Sequence, residues 1–354
     1  MNRFDYVRPA SIAEAVAAAA IPGSAFLAGG TNLIDLMKLG ALSPSRVVDI
    51  ALLPGLEDIE WLSDGGVRIG ARVRNADLAY DARVARTFPA VAEALLASGS
   101  AQLRNAATLG GNLMQRTRCA YFTDTASACN RRAPASGCDA RGGQNRLHAV
   151  LGWSEHCIAT HPSDVCVTLV ALDAVVEVMG PAGAREIALD ALHLLPHHTP
   201  ERETALAPGE LIVALRIPGV AARYAGHARF LKLRERTSFA SAVVSAAAAL
   251  EIEGNTIRSA RIAMGGVGTK PWRALDAEAV LAGAPPGKDS FERAASAALE
   301  GAAPSGDNAF KIDLARRLVA RALRSAADGT PQIMPALPAS AFSTESKAGE
   351  SRVA

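Results

Sequence analysis

Hydrophobic and polar residues along the first 55 positions follow the periods of a small α/β unit. Ser11 and Glu14 have the spacing of a capping box in front of an alanine-rich run, which predicts a helix ended by Pro22-Gly23. The apolar run that follows is too short for a helix and predicts a strand. The predicted elements of this unit are a helix over residues 12–20, strands over 24–28 and 46–50, and a helix over 32–39 that stops at Gly40.

The next stretch combines short strands, helices and one long segment without periodicity. A hairpin is predicted around Asp64-Gly65-Gly66, because glycine supplies the positive φ that such turns need. Residues 116–161 are rich in Gly, Arg and Cys, and loops longer than about 12 to 15 residues are usually functional or disordered. The other predicted elements are helical structure over 75–98, a second glycine turn over 102–113, a helix opened by Pro162-Ser163-Asp164, a hairpin over 174–189 and a strand over 210–217.

The last third reads as strands followed by helices, which predicts an α+β domain. Strands surround Glu253-Gly254-Asn255, and helices are predicted near 275–283, 290–301 and 309–327. From Thr330 onward Pro, Ala, Ser and Lys dominate, which is typical of a flexible tail. The predicted division is a first unit over 1–55, a second over 56–220 with an insertion at about 115–161, a third over 221–328 and a tail over 329–354.

Composition and charge exclude several classes of function. The 354 residues suit two or three domains, and 37 basic against 35 acidic residues leave no electrostatic footprint for nucleic acid. The longest apolar run, Ala242 to Leu250, is far shorter than the roughly 20 residues that cross a bilayer. Residues 1–6 lack the apolar core of a secretory signal. We therefore expect no nucleic-acid partner, no membrane partner and no signal peptide on this chain.

Two glycine pairs carry the first candidate chemistry. Gly29-Gly30-Thr31-Asn32 lies where a strand gives way to a helix, so backbone N–H groups there can face a phosphate. Thr108-Leu109-Gly110-Gly111-Asn112 repeats the hydroxyl, glycine pair and amide some eighty residues later. Either pair alone is more typical of a tight turn, but together they suit the two sides of a diphosphate cradle. Neither has the pattern of a dinucleotide-binding βαβ unit or of a nucleotide-triphosphate loop.

These residues resemble the FAD-binding motifs of molybdenum hydroxylase flavoproteins, a family that includes the medium subunits of xanthine dehydrogenase and carbon monoxide dehydrogenase. The resemblance rests on residues 28–33, 104–112 and 162–164 in the expected order, with Asn32 where relatives often have Asp. It implies an α+β fold, in which a two-part FAD-binding domain of the vanillyl-alcohol oxidase type precedes a C-terminal α+β domain of the CO dehydrogenase flavoprotein type.

The resemblance also assigns residues to the cofactor. The two glycine loops should hold the pyrophosphate, and Asp164 should accept from ribityl or ribose hydroxyls, although alone it is more typical of a helix N-terminus. Ile212 matches an apolar flavin contact, and Lys232 matches a basic residue near the ring that would favour the anionic reduced flavin. The implied FAD ligands are Leu27, Ala28, Gly29, Gly30, Thr31, Asn32, Leu33, Ile34, Thr108, Leu109, Gly110, Gly111, Asn112, Asp164, Ile212 and Lys232.

Four of the five cysteines lie in one segment of fewer than forty residues: Cys119, Cys129, Cys138 and Cys157. Their spacing matches neither the tight pairs of many zinc sites nor the common ferredoxin runs. Paired disulfides, a zinc site recruiting His148, His156 or His161, and unligated thiols all stay open on spacing alone. A segment with so few apolar residues would gain ordering free energy from a metal centre, and four thiolates also suit a [4Fe-4S] cluster.

The same segment resembles the iron–sulfur insertion in flavin subunits of bacterial periplasmic aldehyde oxidoreductases and relatives of 4-hydroxybenzoyl-CoA reductase. The likeness rests on the residues around Cys119, Cys129 and Cys138 and on the run from His156 to Pro162. It implies that Cys119, Cys129, Cys138 and Cys157 bind a [4Fe-4S] cluster. Neighbouring arginines would offset its negative charge. Cys166 is expected to be a buried core residue outside the cluster.

The resemblance implies an oxidoreductase subunit that carries electrons. Electrons would come from a molybdenum-cofactor-binding large subunit through a [2Fe-2S] small subunit, in a heterotrimer that oxidises an aldehyde, and would leave from FAD to an outside acceptor. No catalytic residue is assigned to this chain, since no Ser-His-Asp arrangement or paired carboxylates stand out. Two rival hypotheses are a free-standing flavin oxidase or reductase and a zinc-stabilised assembly subunit. The complex would be periplasmic by co-export on a partner's signal, or cytoplasmic.

Overall fold

Three β-sheets organise the computed structural model, which describes residues 1–331; residues 332–354, most of the predicted tail, lie outside the described residues. One sheet falls within each of the three predicted units. The strands are β1 (Asp5–Val7), β2 (Ser24–Leu27), β3 (Arg46–Asp49), β4 (Ile59–Trp61), β5 (Val67–Gly70), β6 (Val175–Gly180), β7 (Gly183–Ala188), β8 (Leu211–Ile217), β9 (Ala228–Leu233), β10 (Val244–Glu253), β11 (Thr256–Gly265) and β12 (Trp272–Arg273).

The helices lie around and between these sheets. Within residues 1–331, no helix has the length and apolar content needed to cross a membrane. A 3-10 helix spans Gly219–His227. The α-helices are α1 (Ile12–Ala19), α2 (Leu33–Lys38), α3 (Asn75–Tyr80), α4 (Ala82–Thr87), α5 (Pro89–Ala97), α6 (Ala101–Ala106), α7 (Leu109–Leu113), α8 (Ala120–Thr123), α9 (Asp164–Ala171), α10 (Leu189–Leu192), α11 (Leu275–Leu281), α12 (Lys288–Ala297) and α13 (Phe310–Ala327).

The first unit is a parallel three-stranded sheet with the order β1-β3-β2. The predicted capping box at α1 is present, because the Ser11 hydroxyl accepts from the Glu14 N–H at 3.2 Å. The predicted strand, glycine turn and helix are present as β2, the turn at 28–32 and α2. Gly40 ends α2 with φ of +75°, a conformation that favours glycine.

The second unit is an antiparallel five-stranded sheet with the order β4-β5-β8-β6-β7. The central strand β8 is a continuous apolar run, because both of its faces are covered. Ile212 and Leu215 face the core that contains α5 and α9, whereas Leu211 and Val213 pack against the first unit. Strand β8 therefore fixes the position of the first unit on the second.

The third unit is an antiparallel sheet with the order β12-β11-β10-β9, covered by α11, α12 and α13. Strand β10 is rich in alanine because elements pack on both of its faces. Ala246 and Ala248 face the helices of this unit, and Ala247 and Ala249 face the core of the second unit. Strands β8 and β10 each pack against two units, so they join the three units to one another.

One predicted element is present and one is wrong. The helical structure predicted over 75–98 is present as three helices, because Asp81 leaves helical geometry and caps α4 through the N–H groups of Arg83 and Val84, and Pro89 restricts Phe88 before it. The turn predicted over 102–113 is two helices, α6 and α7. Gly110 lies inside α7, where a side chain would contact Ala71 at 2.9 Å, so the glycine permits close helix packing rather than a turn.

The segment over 115–161 is non-periodic, as predicted, but it is anchored to all three units. Phe122 and Cys129 pack with Leu36 of α2. Lys311 of α13 is fully buried and donates to the carbonyl oxygens of Leu147, His148 and Gly266. The segment is therefore held as a defined structure between the first unit and the third unit.

Candidate functional site

The first glycine loop presents a row of backbone N–H groups. Those of residues 29–33 donate to no group in the described part of the chain, although the preceding strand β2 is paired with β3. Gly30 has φ of +73°, and Gly29 lies so close to Ala106 that a Cβ would be 2.0 Å from its carbonyl oxygen. Asn32 accepts from the Arg116 N–H at 2.9 Å, and its buried Nδ2 has no partner. Unpaired donors of this kind need an anion or water.

The second glycine loop contributes a surface rather than donors. The N–H groups of Leu109 and Gly110 donate to the carbonyl oxygens of Val73 and Ala71, at 2.9 and 2.8 Å. Thr108 caps α7 by accepting from the Gly111 N–H at 3.3 Å. Gly111 itself is exposed on the helix face that looks toward the first loop. The glycines therefore let helix α7 approach a ligand closely, and the first loop supplies the donors.

Two cavities meet at these loops. One has a volume of about 360 Å³ and an apolar wall that includes Phe26, Leu42 and Ile212. The other has a volume of about 340 Å³ and is lined by polar groups that include Asp164 and Lys232. Thr31, Asn32 and Gly111 line both cavities. Together the cavities form one elongated groove with an apolar end and a charged end, and the backbone donors of the first glycine loop lie in its middle.

An ion pair forms the inner wall of the charged end. The Lys232 Nζ lies 2.7 Å from the Asp164 carboxylate, and both side chains are almost wholly buried. The Ser98 hydroxyl donates to the same oxygen at 2.9 Å. Burial raises the pKa of Asp164 despite the attraction of Lys232. The sequence placed these residues separately on the cofactor, and the structure brings them into direct contact.

The remaining predicted FAD ligands differ in where their side chains lie. Ala28, Leu33 and Ile212 line the apolar cavity. Leu27 and Ile34 pack against the α-carbon of Gly30 and so support the loop from behind. Leu109 is fully buried in the core of the second unit and lines neither cavity. Asn112, by contrast, lines the charged cavity and accepts from the Ser163 hydroxyl at 2.7 Å.

Sequence reasoning missed several residues of the charged end. Ser98 bonds to Asp164, and Asn75 is buried in the cavity wall with an unpartnered Oδ1. Arg104 donates to the carbonyl oxygens of Leu96 and Ser98 and holds the turn after α5. The Ser98–Asp164 contact joins residues 66 positions apart, so spacing does not indicate it, whereas the Arg104 contacts are local to the turn between α5 and α6.

The four clustered cysteines converge on one small cavity. Cys119, Cys129, Cys138 and Cys157 all line it, and all are free thiols. An antiparallel bridge pairs Cys129 with Cys138 across a turn that Asn130 closes by bonds to Gly137. Burial raises the pKa of the Cys119 thiol to about 11 and raises that of Cys138. No three of these four sulfur atoms lie within 4.8 Å of one another, so the thiols surround a space wider than a single metal ion would need.

A buried charge network joins this cysteine cavity to the first glycine loop. Arg131 lines the same cavity as Cys157 and lies 2.9 Å from Glu203, which also pairs with Arg116. The N–H of Arg116 in turn donates to Asn32. Burial alone would lower the pKa of Arg131, but the Glu203 carboxylate and the Cys157 sulfur outweigh it and raise the pKa.

Two of the three histidines considered for zinc lie at the cysteine cavity, and the third, His161, does not line it. The His148 Nε2 lies 3.2 Å from the Cys119 sulfur, and the His156 Nε2 lies 3.0 Å from His198. His161 lies instead with Cys166 and His193, their ligand-type atoms within 4.8 Å of one another. The His161 Nδ1 accepts from the Ser163 N–H, so the neutral ring carries its proton on the nitrogen that would face a metal. Cys166 is fully buried, as predicted.

Comparison with known families identifies the family of the chain. Residues 2–220 match the family model described as the FAD binding domain in molybdopterin dehydrogenase, and residues 229–326 match the CO dehydrogenase flavoprotein C-terminal domain. The chain belongs to the FAD-binding subunits of the molybdenum hydroxylase family. The predicted recognition and the predicted FAD cofactor are thereby confirmed for this flavin subunit.

Individual relatives agree with the family assignment. The flavin subunit is 48% identical over 329 residues to the aldehyde oxidoreductase FAD-binding subunit PaoB of Escherichia coli, covering 92% of this chain and 99% of that one. It is 28% identical over 331 residues to the carbon monoxide dehydrogenase medium chain of Hydrogenophaga pseudoflava, covering 92% and 97%. Both relatives are oxidoreductase subunits, as predicted for this chain.

Solved structures show the same fold. A carbon monoxide dehydrogenase structure from Hydrogenophaga pseudoflava superposes with a TM-score of 0.73 at 27% identity, covering 92% of this chain and 98% of that one. Quinoline 2-oxidoreductase from Pseudomonas putida 86 superposes with a TM-score of 0.70 at 26% identity and the same coverage. The predicted fold class, a two-part FAD-binding domain followed by a CO dehydrogenase flavoprotein C-terminal domain, is confirmed.

Proposed function

We propose that this flavin subunit carries electrons in a molybdenum-dependent aldehyde oxidoreductase. It receives them from iron–sulfur centres of a small partner subunit, which are fed by a molybdenum site on a large partner subunit. It delivers them from FAD to an external acceptor. The observation that carries this proposal is that the FAD groove and a four-cysteine cavity lie on one chain and are joined by a network of buried charges.

The groove fits FAD along its whole length. We infer that the apolar cavity, walled by Phe26, Leu42 and Ile212, holds the adenine end, so Ile212 would contact the adenine rather than the flavin ring that the resemblance had suggested. The unpaired N–H groups of residues 29–33 would hold the pyrophosphate, for which they provide donors without a competing partner. Asp164 and Lys232 would lie beside the ribityl chain and the ring. When bound, FAD supplies the capacity to accept electrons singly or in pairs, and these residues set its position and charge environment.

The cysteine cavity fits a metal cluster bound by four thiolates. We infer that Cys119, Cys129, Cys138 and Cys157 hold a [4Fe-4S] cluster, because their side chains share one cavity without a carboxylate among its lining residues. Arg131 would then donate to a cluster ligand, Cys157, and compensate negative charge. A disulfide pairing is disfavoured, since all four thiols are free and face the same cavity.

The chemistry of substrate oxidation is assigned to a partner chain. One hydroxyl beside a carboxylate lines the FAD cavities, that of Ser98 next to Asp164, but the Asp164 carboxylate is already paired with Lys232 and is not free to act as a base. The name of the Escherichia coli relative supports an aldehyde as the substrate class of the complex. Oxidation of an aldehyde with water to a carboxylic acid releases two electrons and two protons, and the electrons would pass through this chain.

Anaerobic purification of the complex tests the proposal. The complex should show flavin absorption bands and broad thiolate-to-iron absorption, with about four irons per FAD beyond those of the small partner subunit. Cys157→Ser and Cys119→Ser should each lower the iron content while FAD is retained, and Cys166→Ser is the matched control that should keep both cofactors. Full iron in the Cys119→Ser and Cys157→Ser variants would refute the ligand set.

The rival functions give different outcomes in the same experiment. Zinc in place of iron, without flavin bands, would support an assembly subunit stabilised by zinc. Turnover of a substrate by the isolated chain would support a free-standing flavin oxidase or reductase. Either result would contradict an electron-transfer subunit.

A further inference from the structure

A groove behind the Lys232 strand concentrates positive charge. It has a volume of about 610 Å³ and lies between α5, strand β9 with its following loop, and α13. Its basic lining residues are Arg229, Lys232, Arg234, Arg236 and Arg321, and its acidic lining residues are Glu93 and Glu235. Because the chain as a whole carries a net charge of only +2, this excess is a local feature.

The acidic residues of the groove are already neutralised. Glu93 pairs with Arg229 at 2.9 Å, and Glu235 pairs with Arg146 outside the groove. Lys232 pairs with Asp164. Arg234, Arg236 and Arg321 therefore face the groove without a carboxylate partner among residues 1–331.

Two of these three arginines are held in place by backbone groups. Arg234 donates weakly to the Ala97 carbonyl at 3.4 Å, and Arg236 donates to the Phe239 carbonyl at 2.8 Å. Arg321 is exposed on α13, on the opposite side of the groove. Positive groups thus lie on both walls, so a bound anion would be approached from two sides.

The groove adjoins the charged end of the FAD site. Lys232 and Arg236 line both the groove and the cavity that contains Asp164. A molecule in the groove would therefore lie next to the proposed flavin ring, on the far side of one strand. Its volume is in the range of small-molecule sites, whereas a protein partner would need a broad surface of about 800 Å².

We propose that this groove binds the external electron acceptor and selects a small anion for that role. The proposal rests on the electron-transfer function proposed above and names the class of acceptor. For a one-electron anionic acceptor the balance is that one aldehyde and one water give a carboxylic acid, two acceptor ions each gain one electron, and two protons leave to solvent.

The test uses the intact complex and three electron acceptors of different charge: ferricyanide, a neutral quinone and hexaammineruthenium(III). In Arg321→Glu the KM for ferricyanide should rise about fivefold to tenfold, as expected for reversal of one charge some 8 Å from a trivalent anion at physiological salt. The KM for the quinone should be unchanged, and that for the ruthenium trication should fall. Arg321→Lys should restore the wild-type values.

Arg293→Glu provides the matched control. Arg293 is exposed on α12 and does not line the groove, so the same change in net charge should leave all three KM values unchanged. Calorimetric titration of the oxidised complex with ferrocyanide adds a readout that does not depend on turnover, and binding should weaken in Arg321→Glu alone.

Several outcomes would overturn the inference. These are an unchanged KM for ferricyanide in Arg321→Glu, equal shifts for all three acceptors, or the same shift in Arg293→Glu. Failure of the proposed function itself looks different, because aldehyde would then leave the flavin of the wild-type complex oxidised before any acceptor is added.

Discussion

Gly111→Ala separates binding of FAD from folding of the chain. Gly111 lies in α7 without a positive φ, so alanine is compatible with its backbone. The new Cβ would lie 3.0 Å from the Thr108 hydroxyl and near no other heavy atom. Its methyl group would instead project into the middle of the groove, where the two FAD cavities meet.

The size of the effect follows from that position. Inserting one carbon into a filled site costs about 1–3 kcal/mol, which corresponds to a roughly fivefold to more than hundredfold weaker Kd for FAD. The chain without FAD should keep its Tm within about 2 °C, because only a flexible hydroxyl must adjust. Gly29→Ala should behave differently and destabilise the fold, since its Cβ would lie 2.0 Å from the Ala106 carbonyl oxygen.

Fluorescence titration of the flavin-free chain with FAD, together with thermal unfolding, measures both quantities. Gly226→Ala is the control, because a Cβ there meets no atom within 4 Å and Gly226 has no positive φ. It should change neither the Kd nor the Tm. FAD binding by Gly111→Ala at the wild-type Kd would refute the placement of the pyrophosphate between the two loops.

Three further predictions concern the buried charges and thiols. Lys232→Met should destabilise the chain by about 3–5 kcal/mol, because it leaves the Asp164 carboxylate buried without its partner. The double variant Lys232→Met with Asp164→Asn should recover much of that loss. Equal unfolding midpoints in denaturant for wild type and Lys232→Met would contradict this prediction. Glu203→Gln removes the negative charge that balances Arg116 and Arg131, so the reduction potential of the cluster should become more positive. An EPR-monitored redox titration measures this potential. An unchanged potential would rule out an electrostatic effect of Glu203 on the cluster. Burial holds the Cys119 and Cys138 thiols protonated at neutral pH, so binding of iron or zinc to the metal-free chain should release protons and should tighten as pH rises from about 6 to about 9. Calorimetry in two buffers of different protonation enthalpy counts the released protons. No proton release would show that these thiols are not the ligands.

The local elements were predictable where one physical rule dominates. The capping box at α1, the glycine stop of α2 and the hairpin strands β6 and β7 follow from hydrogen bonding and turn geometry within a few residues. The second glycine pair was misread as a turn, because Gly110 is required by contact with Ala71, a residue of a different element. Sequence spacing carries no information on such a tertiary contact.

The candidate site likewise combines residues that could be placed from local sequence with contacts that only the fold reveals. Motif residues such as Gly30, Thr31 and Asp164 could be placed from the sequence because their chemistry is local to a loop or helix start. The Asp164–Lys232 ion pair and the path through Glu203 join segments that are far apart in the chain, so only the fold reveals them. Convergence of the four cysteines was open on spacing alone, and it became visible once the segment folded around one cavity.

Single-turnover reduction of the intact, oxidised complex by aldehyde under anaerobic conditions tests the central claim most directly. Stopped-flow absorption should show the flavin band on this chain bleach in the absence of any external acceptor, and Cys157→Ser should slow or uncouple that step while FAD is retained. Aldehyde oxidation that leaves this flavin oxidised would contradict the claim that electrons leave the complex through this subunit.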